Sequence, residues 1–247
     1  MLQFERHAEK YLNVRDKIYP SCLYKKLATL CITHDAALDL ACGNGVSTVG
    51  LTPYFKHVTG VDIGKNLIRD AKKLFSNISF TVSSAEEFQT PQKYNLVTSA
   101  TSFYWMNRKL ILGKINNLLV EQGAFCAYKY NFPIVYGPIQ DFIAHELATK
   151  WAAYRDSRLV SYDDTLELMR DSGLFGETEM FFLPNTIELT SEEVALFFLS
   201  TSYVTRYIDQ SANSIYPEWF ITEIKKSATA EKIKVNFDIY GYLGRKG

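Results

Sequence analysis

The sequence predicts an α/β protein organised on a doubly wound, mostly parallel sheet, and three observations predict it. Five short apolar runs alternate with stretches of helical periodicity between about residues 34 and 131. The first run, AALDLA from Ala36 to Ala41, is apolar nearly throughout, as a strand covered on both faces must be. It breaks at Gly43 and Gly45 into a helix, the junction at which such sheets take up ligands. Of the 247 residues 47% are hydrophobic, ample for one core, so residues 1–247 are expected to form a single domain.

Each element has its own signal. Tyr11, Val14 and Ile18 recur on one helical face, Pro20 interrupts them, and Leu23, Leu27 and Leu30 start a second face, giving helical cover over about 1–33. The core, about 34–131, continues with strand HVTGVD ending at Asp62, a helix from Lys65 to Phe75, strands ISFTVS and YNLVTSA, a helix from about Asn107 to Val120, and strand AFCAYKYN. Past Asn131 the alternation stops. Pro138 suits a first helical position, and Ile139, Ile143, Leu147 and Trp151 follow at i+4 spacing. A second helix, roughly Asp163 to Asp171, halts at Gly173, so about 132–176 is expected to be an inserted helical lid. In the remainder, about 177–247, MFFLPNTIEL reads as one strand and KVNFDIYGYLG as the last, which makes the sheet seven-stranded. Between them Thr190 and Glu193 form a capping box for a helix from Val194 to Leu199, and another helix lies near Glu218 to Lys226.

Composition excludes several classes. Lys and Arg total 27 against 27 Asp and Glu, so no general basic surface exists for nucleic acid. Cys22, Cys31, Cys42 and Cys126 show no CxxC pair, which signals neither zinc nor a disulfide framework. No apolar run reaches membrane-spanning length, and MLQFERHAEKYL is charged where a signal peptide is apolar; a cytoplasmic protein is expected. The 16 Tyr, 16 Phe and 3 Trp supply aromatic surface for a core and for a pocket that takes an organic ligand.

In LDLACGNGVST, Gly43 and Gly45 let backbone approach a ligand closely, and Asp62, 17 residues past Gly45, can accept from both hydroxyls of a ribose. A dinucleotide or S-adenosylmethionine fits such a clamp. The third glycine of a pyrophosphate-binding turn is replaced by Thr48, and Asp39 before the turn would repel a pyrophosphate while attracting an ammonium group. The sulfonium cofactor is therefore favoured.

LDLACGNG, VTGVDIGKNLIRDAKK, SSAEEF and YNLVTSATSFYWMN, in this order, resemble the four motifs of class I S-adenosylmethionine-dependent methyltransferases. Tyr11, Arg15, Tyr19 and Pro20, with the Tyr104-Trp105 pair, are similar to the small-molecule branch that includes trans-aconitate methyltransferase. The resemblance covers about residues 11–130; beyond it only the layout agrees. It implies the Rossmann-like methyltransferase fold. It also implies that Tyr11 belongs to the cofactor site, that Asp39 and the backbone at Ala41 and Gly43 hold the methionine end, and that Arg15 meets its carboxylate. Asp62 would take the ribose, Ile63 would pack on the adenine, Ala85 and Glu86 would address its amino group, and the Ala100 carbonyl would face the methionine end. LVEQGAF lacks the family's usual proline.

The acceptor is read by elimination. No [ND]PP[YFW] sequence of amino-group methylation on bases follows the fourth strand, no Cys follows a Pro, and no carboxylate cluster signals a metal. His7, His34, His57 and His145 are scattered, so no catalytic residue is assigned; an acceptor already ionised, such as a carboxylate oxygen, needs the least help. A phenol or amine of a secondary metabolite is the alternative, as are an RNA or protein acceptor, a non-catalytic adenosyl-ligand-binding protein and, last, a dinucleotide oxidoreductase. Tyr104, Trp105, Tyr130, Tyr203 and Arg206 are the leading substrate-contact candidates, with Tyr128, Tyr136, Trp151 and Tyr207 as further wall. Tyr203, Arg206 and Tyr207 share a helical face at i, i+3 and i+4. The expected partner is a small-molecule acceptor, with no nucleic acid and no membrane, and the expected state a monomer or homodimer.

Overall fold

Ala36–Leu40 (β1) is buried at all five positions, as a strand covered on both faces is, and it has strand neighbours on both edges. The structure, a computed structural model, describes residues 14, 15, 17–159, 161 and 163–247. In chain order the elements around and after β1 are α1 (Ser21–Thr29), α2 (Val46–Val49), β2 (His57–Asp62), α3 (Lys65–Leu74), β3 (Ser79–Val82), β4 (Tyr94–Ala100), α4 (Arg108–Leu118) and β5 (Leu119–Tyr130). Then come β6 (Ile134–Val135), α5 (Ile139–Glu146), α6 (Thr165–Asp171), β7 (Glu177–Leu183) and β8 (Thr186–Leu189). The chain closes with α7 (Ser191–Leu199), α8 (Ser202–Ser211), α9 (Tyr216–Ser227), β9 (Ile233–Asn236) and β10 (Ile239–Arg245). Two units are distinguished. One comprises Tyr19–Tyr130, Tyr162–Leu183 and Ile239–Gly247; the other comprises the described residues up to Ile18 with Asn131–Ser161 and Pro184–Asp238.

The first unit holds a seven-stranded sheet in the order β3-β2-β1-β4-β5-β10-β7, parallel except that β10 runs antiparallel to both β5 and β7. Its chain winds outward from β1 to β3, then returns to place β4 on the other side of β1, so the winding reverses between β1 and β4. Ile111, Leu112 and Ile115 of α4 pack in one core with Leu38, Val97 and Phe125, each fully or almost fully buried and contributing about 1.5–3 kcal/mol. AALDLA ends one residue earlier than its composition suggests: Ala41 has φ +53°, which turns the chain out of the sheet.

The second unit carries a smaller antiparallel sheet in the order β6-β9-β8 and a helical core in which Trp151, Phe198 and Phe220 are fully buried. Here two expectations are corrected. MFFLPNTIEL is not one strand but β7 and β8, in different sheets, divided at Pro184-Asn185; KVNFDIYGYLG divides likewise into β9 and β10 at Phe237-Asp238. The breaks are joined: Phe237 N donates to Asn185 O at 2.7 Å, and Asn185 N to Asp238 Oδ1 at 2.7 Å. Pro184 has no N–H for a ladder, and Asn185 and Asp238 offer side chains in place of strand partners. The expected capping box is present, with Glu193 N on Thr190 Oγ1 at 3.2 Å and Thr190 N on Glu193 Oε2 at 2.9 Å. Helix α5 continues into a π turn over Leu147–Trp151.

Candidate functional site

Ala41 and Thr101, directly after β1 and β4, both have φ near +50°, a conformation that costs a non-glycine residue about 1–2 kcal/mol. Strained backbone thus stands at the carboxyl ends of the two strands between which the winding reverses, the place where sheets of this kind bind ligands. Gly43, in the turn after β1, has φ +59°, and a Cβ added there would meet nothing within 4 Å. Gly45 differs: at φ +84° its Cβ would lie 2.7 Å from the Phe80 ring, so that glycine is required by packing. Of the two glycines, Gly43 is the one that leaves space beside the backbone.

Two carboxylates organise this turn. Asp62, at the end of β2, accepts Gly43 N–H on Oδ2 at 2.8 Å and Gly64 N–H on Oδ1 at 2.7 Å, tying the glycine turn to the start of α3. Asp39 is 0% exposed; its Oδ2 accepts the Ser47 and Thr48 hydroxyls at 2.7 and 2.8 Å, and its Oδ1 accepts the Thr98 hydroxyl at 2.9 Å. Both carboxylate oxygens of Asp39 are thus taken up by hydroxyls of its own unit. The side chain holds the first turn of α2 against β4. Burial pushes its carboxyl up, the three hydroxyls pull it down, and the charge of Asp62 raises it further, for a net rise. Burial first, then the charges of Asp39 and Asp62, push the neighbouring Cys42 thiol well up.

Around the turn the other expected residues take distinct places. Ile63 is 55% exposed directly beyond Asp62, and Val82, opposite Asp62 in the ladder, is 42% exposed. Ala85 is buried; Glu86 Oε1 accepts Asn107 N–H at 3.0 Å and its carbonyl accepts Lys114 Nζ at 2.6 Å, so the chain after β3 is joined to α4. Ala100 ends β4 opposite Tyr128. Tyr19 meets Thr101 Oγ1 through its hydroxyl at 3.1 Å and sets its ring edge-on to Tyr128 at 5.7 Å and beside Tyr130 at 6.4 Å. Tyr104 and Trp105, half-buried in a short turn after β4, lie 5.1 Å apart between ring centroids. Tyr11 lies outside the described residues.

Arg15, Tyr203 and Arg206 belong to the second unit. Arg15 is buried with its guanidinium 5.4 Å from the Phe197 ring centre. Arg206 donates through Nη1 to the Tyr154 carbonyl at 3.0 Å, and its charge acts on Asp156. Trp151, expected on a pocket wall, is instead core: its indole N–H donates to Tyr216 at 2.9 Å, and that hydroxyl donates to the buried Glu146 at 2.5 Å. Sequence reading gave no place to Thr98, Thr101 and Ser47 and read Thr48 only as the missing third glycine, although hydroxyls two and three residues past the second glycine were a usable signal. Among the described residues no group of three or more His, Cys, Asp or Glu is arranged for a metal ion, and no helix is long and apolar enough to cross a membrane.

Residues 33–170 match a family model described as a methyltransferase domain. The chain is 24% identical to a probable S-adenosylmethionine-dependent methyltransferase of Saccharomyces cerevisiae, over 96% of this chain and 94% of that protein. A malonyl-[acyl-carrier protein] O-methyltransferase of Acetivibrio thermocellus is 36% identical over 88 residues, 34% of this chain and 30% of that one. Among solved structures, a protein assigned as a type II methyltransferase from Anaeromyxobacter dehalogenans has the same fold, with a TM-score of 0.73 at 22% identity over 92% of this chain and 96% of that chain.

Proposed function

From the premise that the chain belongs to the methyltransferase-domain family and is an S-adenosylmethionine-dependent methyltransferase, we propose that it methylates a small organic acceptor on oxygen, a carboxylate above all. When bound, S-adenosylmethionine supplies a methyl group activated on a sulfonium, which an acceptor lone pair takes as the carbon–sulfur bond breaks with its electrons left on sulfur. A Cβ at Gly43 would meet nothing within 4 Å, so the backbone there is open to close approach by such a cofactor. Asp62 would accept the ribose hydroxyls, Ile63 would cover the adenine, and Ala85 and Glu86 would address its amino group. The backbone at Ala41, Gly43 and Ala100 would frame the methionine end, Arg15 would meet its carboxylate, and Asp39 would keep the turn in shape. Tyr11 stays in the cofactor site as the resemblance implies, and Tyr104, Trp105, Tyr130 and Tyr203 stay as acceptor contacts.

The observation that carries the acceptor reading is where the described histidines lie. His34 precedes β1 and bonds the Ala28 carbonyl at 2.9 Å, His57 opens β2, and His145 is exposed on α5. Of these, His34 and His57 share the unit of the large sheet, and neither stands at the carboxyl ends of β1, β2 or β4, where a proton would have to be removed. A carboxylate oxygen carries no such proton, so alignment and exclusion of water suffice. The match to an enzyme named for O-methyl transfer agrees with this reading. Placement in the branch that includes trans-aconitate methyltransferase is part of the proposal and rests on Tyr11, Arg15, Tyr19, Pro20 and the Tyr104-Trp105 pair. The test is incubation with methyl-labelled cofactor and an extract of small metabolites. Label released as methanol on mild base treatment is the expected result; label stable to base, on nitrogen or a phenol, overturns the carboxylate assignment.

A further inference from the structure

Arg155 follows a short turn over Ala152–Tyr154, and its guanidinium lies against two aromatic rings of its own unit, 5.4 Å from the centre of Phe132 and 5.8 Å from that of Tyr203. The two rings are themselves 6.2 Å apart and tilted by 31°. Rings attract the face of a guanidinium but do not satisfy its in-plane N–H donors. The Nε–H of Arg155 is buried and has no hydrogen-bond partner among the described residues. Buried donors without acceptors are rare in folded proteins, and an oxygen from outside the chain would satisfy this one. Arg206, the cation that helical spacing suggested for this task, donates through Nη1 to the Tyr154 carbonyl.

We propose that Arg155, with Phe132 and Tyr203, is the acceptor-orienting site: its Nε–H takes one oxygen of a small acid whose flat or apolar body lies on the rings. This deepens the reading of an acidic acceptor and rests on it. A guanidinium edge matches a planar carboxylate, and aromatic neighbours favour an organic acid over an inorganic anion.

The test is titration of the protein loaded with S-adenosylhomocysteine by benzoate, cinnamate and hexanoate, each against its neutral amide. At least one acid should bind about tenfold or more tightly than its amide. Arg155→Met should lose about tenfold or more of that affinity while affinity for S-adenosylhomocysteine is unchanged, and Arg206→Met should keep both. Arg155→Lys, which retains the charge without the Nε donor, should also lose affinity and serves if the Met variant does not fold. Undiminished binding to both Arg155 variants, equal binding of acid and amide, or no binding of any acid to the unaltered protein overturns the proposal. Failure of the functional reading is separate: no base-labile methyl product would form from any acid, whatever these titrations show.

Discussion

Gly43 and Asp163 show how single residues carry separate duties. Because a Cβ at Gly43 meets no protein atom, Gly43→Ala should cost only the backbone strain of its φ, about 1 kcal/mol of stability. The same Cβ would stand in the space assigned to the cofactor, so affinity for S-adenosylhomocysteine should fall by about tenfold or more while circular dichroism stays that of the folded protein. Affinity unchanged in the folded variant would remove the close-approach argument. Asp163 reports on pH. Burial alone would raise its carboxyl, but Lys129 Nζ at 2.6 Å and a bond from Thr165 N–H outweigh burial and hold it below the ordinary value. An acid with a depressed folded pKa adds stability that is complete above its unfolded value, about 3.9, and is lost as pH falls through the folded one. Urea unfolding between pH 6 and about pH 2.5 should therefore show a smaller acid-side loss for Asp163→Asn than for the unaltered protein; equal slopes would mean that the ion pair adds nothing.

At the scale of elements, sequence signals worked where local chemistry decides and failed where distant contacts do. The glycine turn, strand β2 and the capping box were legible, because apolar period, glycine conformation and side-chain reach act within a few residues. Removing the cap hydroxyl in Thr190→Ala should cost about 1 kcal/mol, seen as a lower urea midpoint with unchanged slope; no change would mean that the Glu193 bond alone suffices. Strands β6, β8 and β9 were not resolved as a second sheet, since runs of two to four residues carry no readable period. The division of KVNFDIYGYLG depends on Asn185, 53 positions from Asp238. Asp39, on β1 just before the turn, stood out in the sequence, but the bond it accepts from Thr98 comes from another strand at a separation of 59 and had no local signal. Arg155 had no signal at all: its rings sit 23 positions before it and 48 after it, at no helical or strand spacing.

For the molecule as a whole, the order β3-β2-β1-β4-β5-β10-β7 puts the ends of β1, β2 and β4 side by side, so a turn, an acid and a strained loop from distant parts of the sequence come to one edge. The proposed cofactor site is built on that convergence. A ligand of this edge that binds only the folded protein adds about 2.7 kcal/mol of stability at 100 times its dissociation constant, so S-adenosylhomocysteine should raise the unfolding temperature and NAD should not. The most direct measurement is calorimetric titration of S-adenosylhomocysteine into the unaltered protein and into folded Asp62→Ala. Loss of a charged acceptor for two ribose hydroxyls should weaken binding by about 1–3 kcal/mol, roughly 5- to 150-fold. Equal affinity in the two proteins would contradict the account, because the cofactor would then lie somewhere other than at the end of β2.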